Sequence, residues 1–168
     1  MNIGLLLLRI VVGLTLAAHG SQKLFGWFGG TGIDGTARAM EHLGFGSGRR
    51  SAVLAGLAET GGGVLLALGA ATALAAAMVI GVMVVAIFSV HVSKGFFTTQ
   101  GGYEYPLVLT TAALSIAFSG PGRFSLDALA GLDFSGPIWA CAALLVGLAA
   151  SGIQLASRRH AAAQPHAA

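Results

Sequence analysis

Apolar residues in this chain gather into long blocks separated by short polar or glycine-rich stretches, with none of the strict alternation that marks half-buried strands. Five blocks, 3–20, 51–71, 74–92, 103–119 and 137–156, approach the ~20 residues that a helix needs to cross a hydrocarbon core. The fourth is the shortest, and Pro106 stands near its start, where a missing N–H costs little. Only small residues, Ala70 to Ala73, separate the second and third blocks, which predicts a tight antiparallel hairpin. The first block reads as a span and not as a cleaved leader. Arg9 interrupts it, yet its aliphatic residues at about −0.3 to −0.6 kcal/mol each outweigh one Arg at about +2.5 to +3.5. Between the first two spans, Phe25, Trp27 and Phe28 have the placement of an aromatic belt. A short interfacial helix is expected after them, capped by Asp34 or Thr36 and ended by Gly44, with Ile33, Ala37, Met40 and Leu43 on one side.

Composition carries the same message. Of 168 residues 55% are hydrophobic and 9% charged, far below the roughly 25% charged of soluble domains, which predicts an all-α membrane protein. The pI of about 9.6 does not point to nucleic acid, because the basic residues are dispersed rather than gathered in a stripe. One cysteine, Cys141, excludes an intrachain disulfide and a CxxC redox motif. Lys23, Arg38, Arg49, Arg50, Lys94, Arg158 and Arg159 share one side of the expected topology and Arg123 stands alone on the other. Positive charge marks the cytoplasmic side, so the expected orientation in the cell membrane is N-terminus outside and C-terminus cytoplasmic.

Ionisable residues inside spans are expensive and point to function. Here they are Arg9, His19, Glu59, His91 and Glu104, with Lys23 and Lys94 just beyond. Counting rise along each helix puts Arg9 and Glu59 within side-chain reach, so a structural ion pair is expected between them. His19, His91 and Glu104 fall near the cytoplasmic ends of their helices. With Lys23 and Glu59 they form a candidate ligand-binding or proton-relay set, expected to converge on one polar cavity. No metal site is expected. Glycines 56, 61, 62 and 63 surround Glu59, where they serve close helix packing or leave room for a flat ligand. Arg9, Gly13, Leu16, Gly20 and Lys23 share one face of the first helix, turned toward the bundle. A weak internal similarity links HGSQKLFGWFGG with HVSKGFFTTQGG and suggests two parallel repeats.

The stretches LLLRIVVGLTLAAHGSQKLFG, GLAETGGGVLLALG and HVSKGFF…GGYEYPLVL, leading into FSGPGRFSLD, resemble the DoxX family of small bacterial and archaeal membrane proteins. Arg9, His19, Gly20 and Lys23 match the first motif, Glu59 and Gly62 the second, and His91, Gly95, Gly102, Glu104 and Pro106 the third. The resemblance implies a four-helix transmembrane bundle over residues 1–130. To this the hydrophobic pattern adds a C-terminal transmembrane helix at 131–157 and a disordered cytoplasmic tail at 158–168. It also implies a membrane subunit of an oxidoreductase system with redox partner proteins, rather than a complete enzyme. A quinone-like or other small redox molecule fits the donor types; a haem held by His19 and His91 is the weaker reading. The rival is a non-enzymatic membrane anchor, scaffold or small-molecule carrier.

Overall fold

The computed structural model describes residues 2–158. Seven helices follow one another: α1 (Asn2–Phe25), α2 (Gly32–His42), α3 (Gly48–Leu68), α4 (Thr72–Ala86), α5 (Glu104–Ser119), the single turn α6 (Leu126–Leu129) and α7 (Pro137–Ala156). A π-helical turn, Ile87–His91, and a 3-10 turn, Val92–Lys94, prolong α4. Among the described residues, four helices are long and apolar enough to cross a membrane: α1, α3, α4 with its prolongation, and α7. Their large apolar side chains, such as Val11, Leu57, Leu74 and Leu145, face outward, as lipid in place of water would require. The chain is therefore an all-α integral membrane protein.

Glycine sets the helix spacing. A Cβ on Gly13 would lie 2.5 Å from the Gly63 carbonyl oxygen, and one on Gly20 would lie 2.5 Å from the Thr60 nitrogen. The α1 and α3 backbones thus touch, running antiparallel with Gly13 opposite Gly63 and Gly20 opposite Thr60. Gly62 faces Met78 and Val79 of α4, while Gly56 makes room for the Leu24 side chain. Packing accounts for these glycines; beside Glu59 only Gly61 is nearly free of neighbours, with the Met78 methyl at 3.4 Å. On the far side of α4, a Cβ on Gly147 would lie 2.9 Å from the Ala77 carbonyl oxygen, and Gly81 faces both Gly147 and Ala150. That spacing makes α7 parallel to α4 and an integral part of the bundle.

Two parallel helices need a return between them, and α5 supplies it. It has 16 residues, or ~24 Å, against a hydrocarbon core of ~30 Å. It begins beside the end of α4 and finishes where the Gly136 N–H bonds the Phe118 carbonyl at 3.1 Å, next to the start of α7. The described residues thus pass five times between the two ends of the bundle.

The α3–α4 hairpin is as tight as its small residues suggest. Gly69 at φ 63° ends α3, with Gly69 N–H bonded to Leu66 and Ala70 N–H to Leu65, the crossed pair of a Schellman cap. Ala71 is also left-handed, at φ 45°. Two details differ from expectation at the opposite end. Helix α2 starts at Gly32, upstream of both expected caps. Asp34 sits in the first turn, 2.8 Å from Arg49, and the Thr36 hydroxyl donates to the Lys23 carbonyl in the last turn of α1, which helical bonds leave unsatisfied. Arg158, the first residue of the expected disordered tail, is held: its Nε donates to the Leu43 carbonyl at 2.8 Å and its guanidinium lies over the Phe45 ring. The rest of that tail lies outside the described residues.

Candidate functional site

Glu59 projects from the middle of α3 into the α1–α3 seam and is 3% exposed. Its partner is Lys23, whose ammonium bonds Glu59 Oε2 from the last turn of α1. The expected pair of Arg9 with Glu59 does not form. The glycine-set register explains why: Glu59 lies opposite the stretch around His19 and Gly20, so Arg9 is about ten residues, ~15 Å, farther along α1. No Arg and Glu side chains close that gap.

Arg9 is instead wholly buried at the other end of the bundle, where its Nη2 donates to the Phe124 carbonyl at 2.5 Å. The segment carrying Phe124 also carries Asp127, a residue that sequence reasoning missed. Asp127 is 3% exposed and accepts from Ala71 N–H at 2.7 Å, Thr72 N–H at 2.9 Å and the Thr72 hydroxyl at 2.6 Å. Its own N–H donates to the Gly69 carbonyl at 2.9 Å. One carboxylate thus satisfies the orphan donors at the start of α4, holds the left-handed Ala71, and lies within electrostatic reach of Arg9. The available signal was an acidic residue in a short connection between apolar blocks, within FSLD.

The remaining candidates gather at the Lys23 end but divide into two sets. His19 is exposed on α1 and faces Tyr105 of α5, with Nε2 3.5 Å from the hydroxyl and ring centroids 6.0 Å apart. Tyr105 also stands within electrostatic reach of Glu59 without a hydrogen bond to it among the described residues, so the His19–Tyr105 contact and the Lys23–Glu59 pair lie as neighbours on three helices. Tyr105 too was missed, although it lies in the GGYEYP stretch. His91 and Glu104 serve the loop between α4 and α5 instead. His91 Nδ1 lies 2.6 Å from the Gly101 carbonyl, and Glu104 Oε2 accepts from Thr98 N–H at 2.9 Å. Among the described residues, no hydrogen bond or ion pair joins His91 or Glu104 to Glu59. The two halves of the suspected repeat differ accordingly: Glu59 stands mid-helix against a lysine, while Glu104 caps a loop at the start of α5.

An apolar groove of about 240 Å³ opens between α3 and α7 over α4, lined by Leu54, Ala58, Met78, Gly81 and Ala150 among others. None of His19, Glu59, His91 and Glu104 lines it.

No curated protein and no solved structure matches the chain. The family pattern described as DoxX matches residues 4–92, which takes in α1, α2, α3 and α4 with Arg9, His19, Lys23, Glu59 and His91. That match covers more than half of the 168 residues, and the chain belongs to the DoxX family.

Proposed function

We propose that the protein is a membrane subunit of an oxidoreductase system and that it binds a quinone-like molecule where α1 meets α5. The observation that carries this reading is the polar group His19, Tyr105, Glu59 and Lys23, assembled from three helices at one end of an otherwise apolar bundle. The His19–Tyr105 contact is long at 3.5 Å and both residues are exposed, so each retains hydrogen-bonding capacity for a third group. A quinone-like molecule, when bound, supplies the two-electron chemistry that this chain's side chains lack. The Tyr105 hydroxyl and His19 would donate to a carbonyl oxygen, and the Lys23–Glu59 pair behind them would hold or pass on a proton. His91 and Glu104 would act on this site by fixing the loop that leads into Tyr105. Electrons would come from partner proteins, since the sequence has neither a dithiol motif nor a dinucleotide-binding fingerprint. The excess of basic residues at this end supports a cytoplasmic position for it, with the N-terminus outside.

The test is lipid extraction and mass spectrometry of protein purified in mild detergent, followed by quinone titration. Tyr105→Phe and His19→Ala should each weaken quinone binding about fivefold, the worth of one hydrogen bond of ~1 kcal/mol, with folded yield unchanged. Absence of any bound quinone, with titration unaffected by both variants, would refute the reading. The rival, a non-enzymatic anchor, scaffold or carrier, draws support from His91 and Glu104, which are both spent on holding a loop. It expects those variants to change partner association instead.

A further inference from the structure

The groove between α3 and α7 lies away from the α1–α5 seam and has a chemistry of its own. Its walls carry Leu54, Ala58 and Ala150, and its floor Met78, Gly81 and Val85. The α4–α7 contact at Gly81 and Gly147 draws α7 against α4, and the gap left between α7 and α3 is spanned near the start of α3, next to Arg50, where Gln154 Nε2 donates to Ser51 Oγ at 2.8 Å. From Ser51 to Ala58 the groove runs for ~10 Å, most of the ~15 Å depth of one leaflet. Among the described residues, every one that lines it is uncharged.

Charge appears only at the mouth. Arg50 is exposed and stands one helical step before Leu54 and two before Ala58, so it heads the stripe that forms the α3 wall. Side chains on a helix lean toward its N-terminus, which directs Arg50 out of the hydrocarbon to headgroup level. Arg158 reaches the same mouth from α7. It lies over Phe45, itself a lining residue, at 5.6 Å, with its Nε donating to the Leu43 carbonyl at 2.8 Å and its Nη1 3.5 Å from the Phe88 carbonyl. Of the acidic residues at this end, Asp34 pairs with Arg49 and Glu59 with Lys23, while Glu41 is exposed on α2 beside Gly48.

We infer that this groove is a binding site for one anionic phospholipid, its acyl chain lying between α3 and α7 and its phosphate between Arg50 and Arg158. A single-leaflet apolar slot ending in two guanidinium groups matches that one amphiphile in both halves. A zwitterionic lipid would satisfy the slot but gain less at the mouth, where basic residues attract a net negative headgroup. A free inorganic anion would have nothing to place in the slot. The inference does not rest on the quinone reading, because the two sites share no residue.

Native mass spectrometry of the full chain in mild detergent, titrated with phosphatidylglycerol or phosphatidylcholine of equal chain length, tests it. Phosphatidylglycerol should be retained at least fivefold better. Arg50→Gln, an exposed change that leaves the fold intact by circular dichroism, should cut that preference several-fold, and Arg158→Gln should act in the same direction. Ala150→Phe, which fills the slot from an exposed wall, should reduce retention of both lipids. Equal retention of the two lipids, insensitivity to Ala150→Phe, or a quinone displacing phosphatidylglycerol from the wild type but not from Ala150→Phe would overturn the proposal.

Discussion

Removing Lys23 should damage the protein more than removing Glu59, although the two form one pair. The asymmetry follows from exposure: the Lys23 side chain is 29% accessible and that of Glu59 4%. In Lys23→Met the carboxylate stays in the α1–α3 seam with no cation beside it, and breaking a buried pair this way costs about 3–5 kcal/mol. In Glu59→Leu the lysine, in the last turn of α1, turns its ammonium to the interface, and the loss falls to about 1 kcal/mol. The double variant strands nothing and should recover about 2 kcal/mol relative to Lys23→Met alone. Denaturant unfolding in mild detergent, followed by helical circular dichroism, measures all four corners of this cycle. A parallel cycle with Arg9→Leu and Glu59→Leu should be additive within about 0.5 kcal/mol, because the two lie ~15 Å apart along the seam. Equal losses from the two single Lys23 and Glu59 variants, or coupling between Arg9 and Glu59, would refute the register on which this reasoning stands.

Asp127→Asn keeps the shape of the α4 cap but leaves one acceptor oxygen for three donors, so it should lower stability by about 2–3 kcal/mol in thermal melts; Ala71→Gly, relieving a left-handed alanine, should gain about 1 kcal/mol. Gly63→Val should abolish folded yield by driving a side chain into the α1 backbone, whereas Gly61→Ala should be neutral or mildly stabilising, as size-exclusion yield will show. Reporter fusions in the Gly69 to Thr72 turn and after Ala168 should report opposite sides of the membrane; matching signals would refute five passes.

The spans could be read from sequence because a bilayer leaves the chain little choice: backbone polar groups must be satisfied within each segment, so apolar blocks become helices. Even the inward face of α1 followed from periodicity, since Arg9, Gly13, Leu16 and Gly20 are all buried. Axial register was harder to see. Depth counted from block ends placed Arg9 near Glu59, but the true register is set by which glycine backbone meets which, and Gly13 meets Gly63. The partner that Arg9 takes is a main-chain carbonyl 115 residues away, which carries no side-chain signature.

The same limit explains the candidate site. Residue types marked His19, Lys23 and Glu59, because ionisable groups in apolar blocks stand out against their surroundings. They could not separate a histidine that faces another helix from one that bonds its own loop. His91 and Glu104 carry the same chemistry as His19 and Glu59, yet the turn from α4 into α5 uses both to tie down main-chain groups at Gly101 and Thr98. Tyr105 went unseen for the opposite reason, since an aromatic residue near a span end reads as a belt anchor. It becomes chemically relevant only when α5 is brought beside α1, and it directly follows the loop that His91 and Glu104 tie down. If the group at the α1–α5 seam binds a ligand, substitutions at His91 and Glu104 will reach it through Tyr105. They should therefore change affinity without removing the His19 and Lys23–Glu59 contacts themselves.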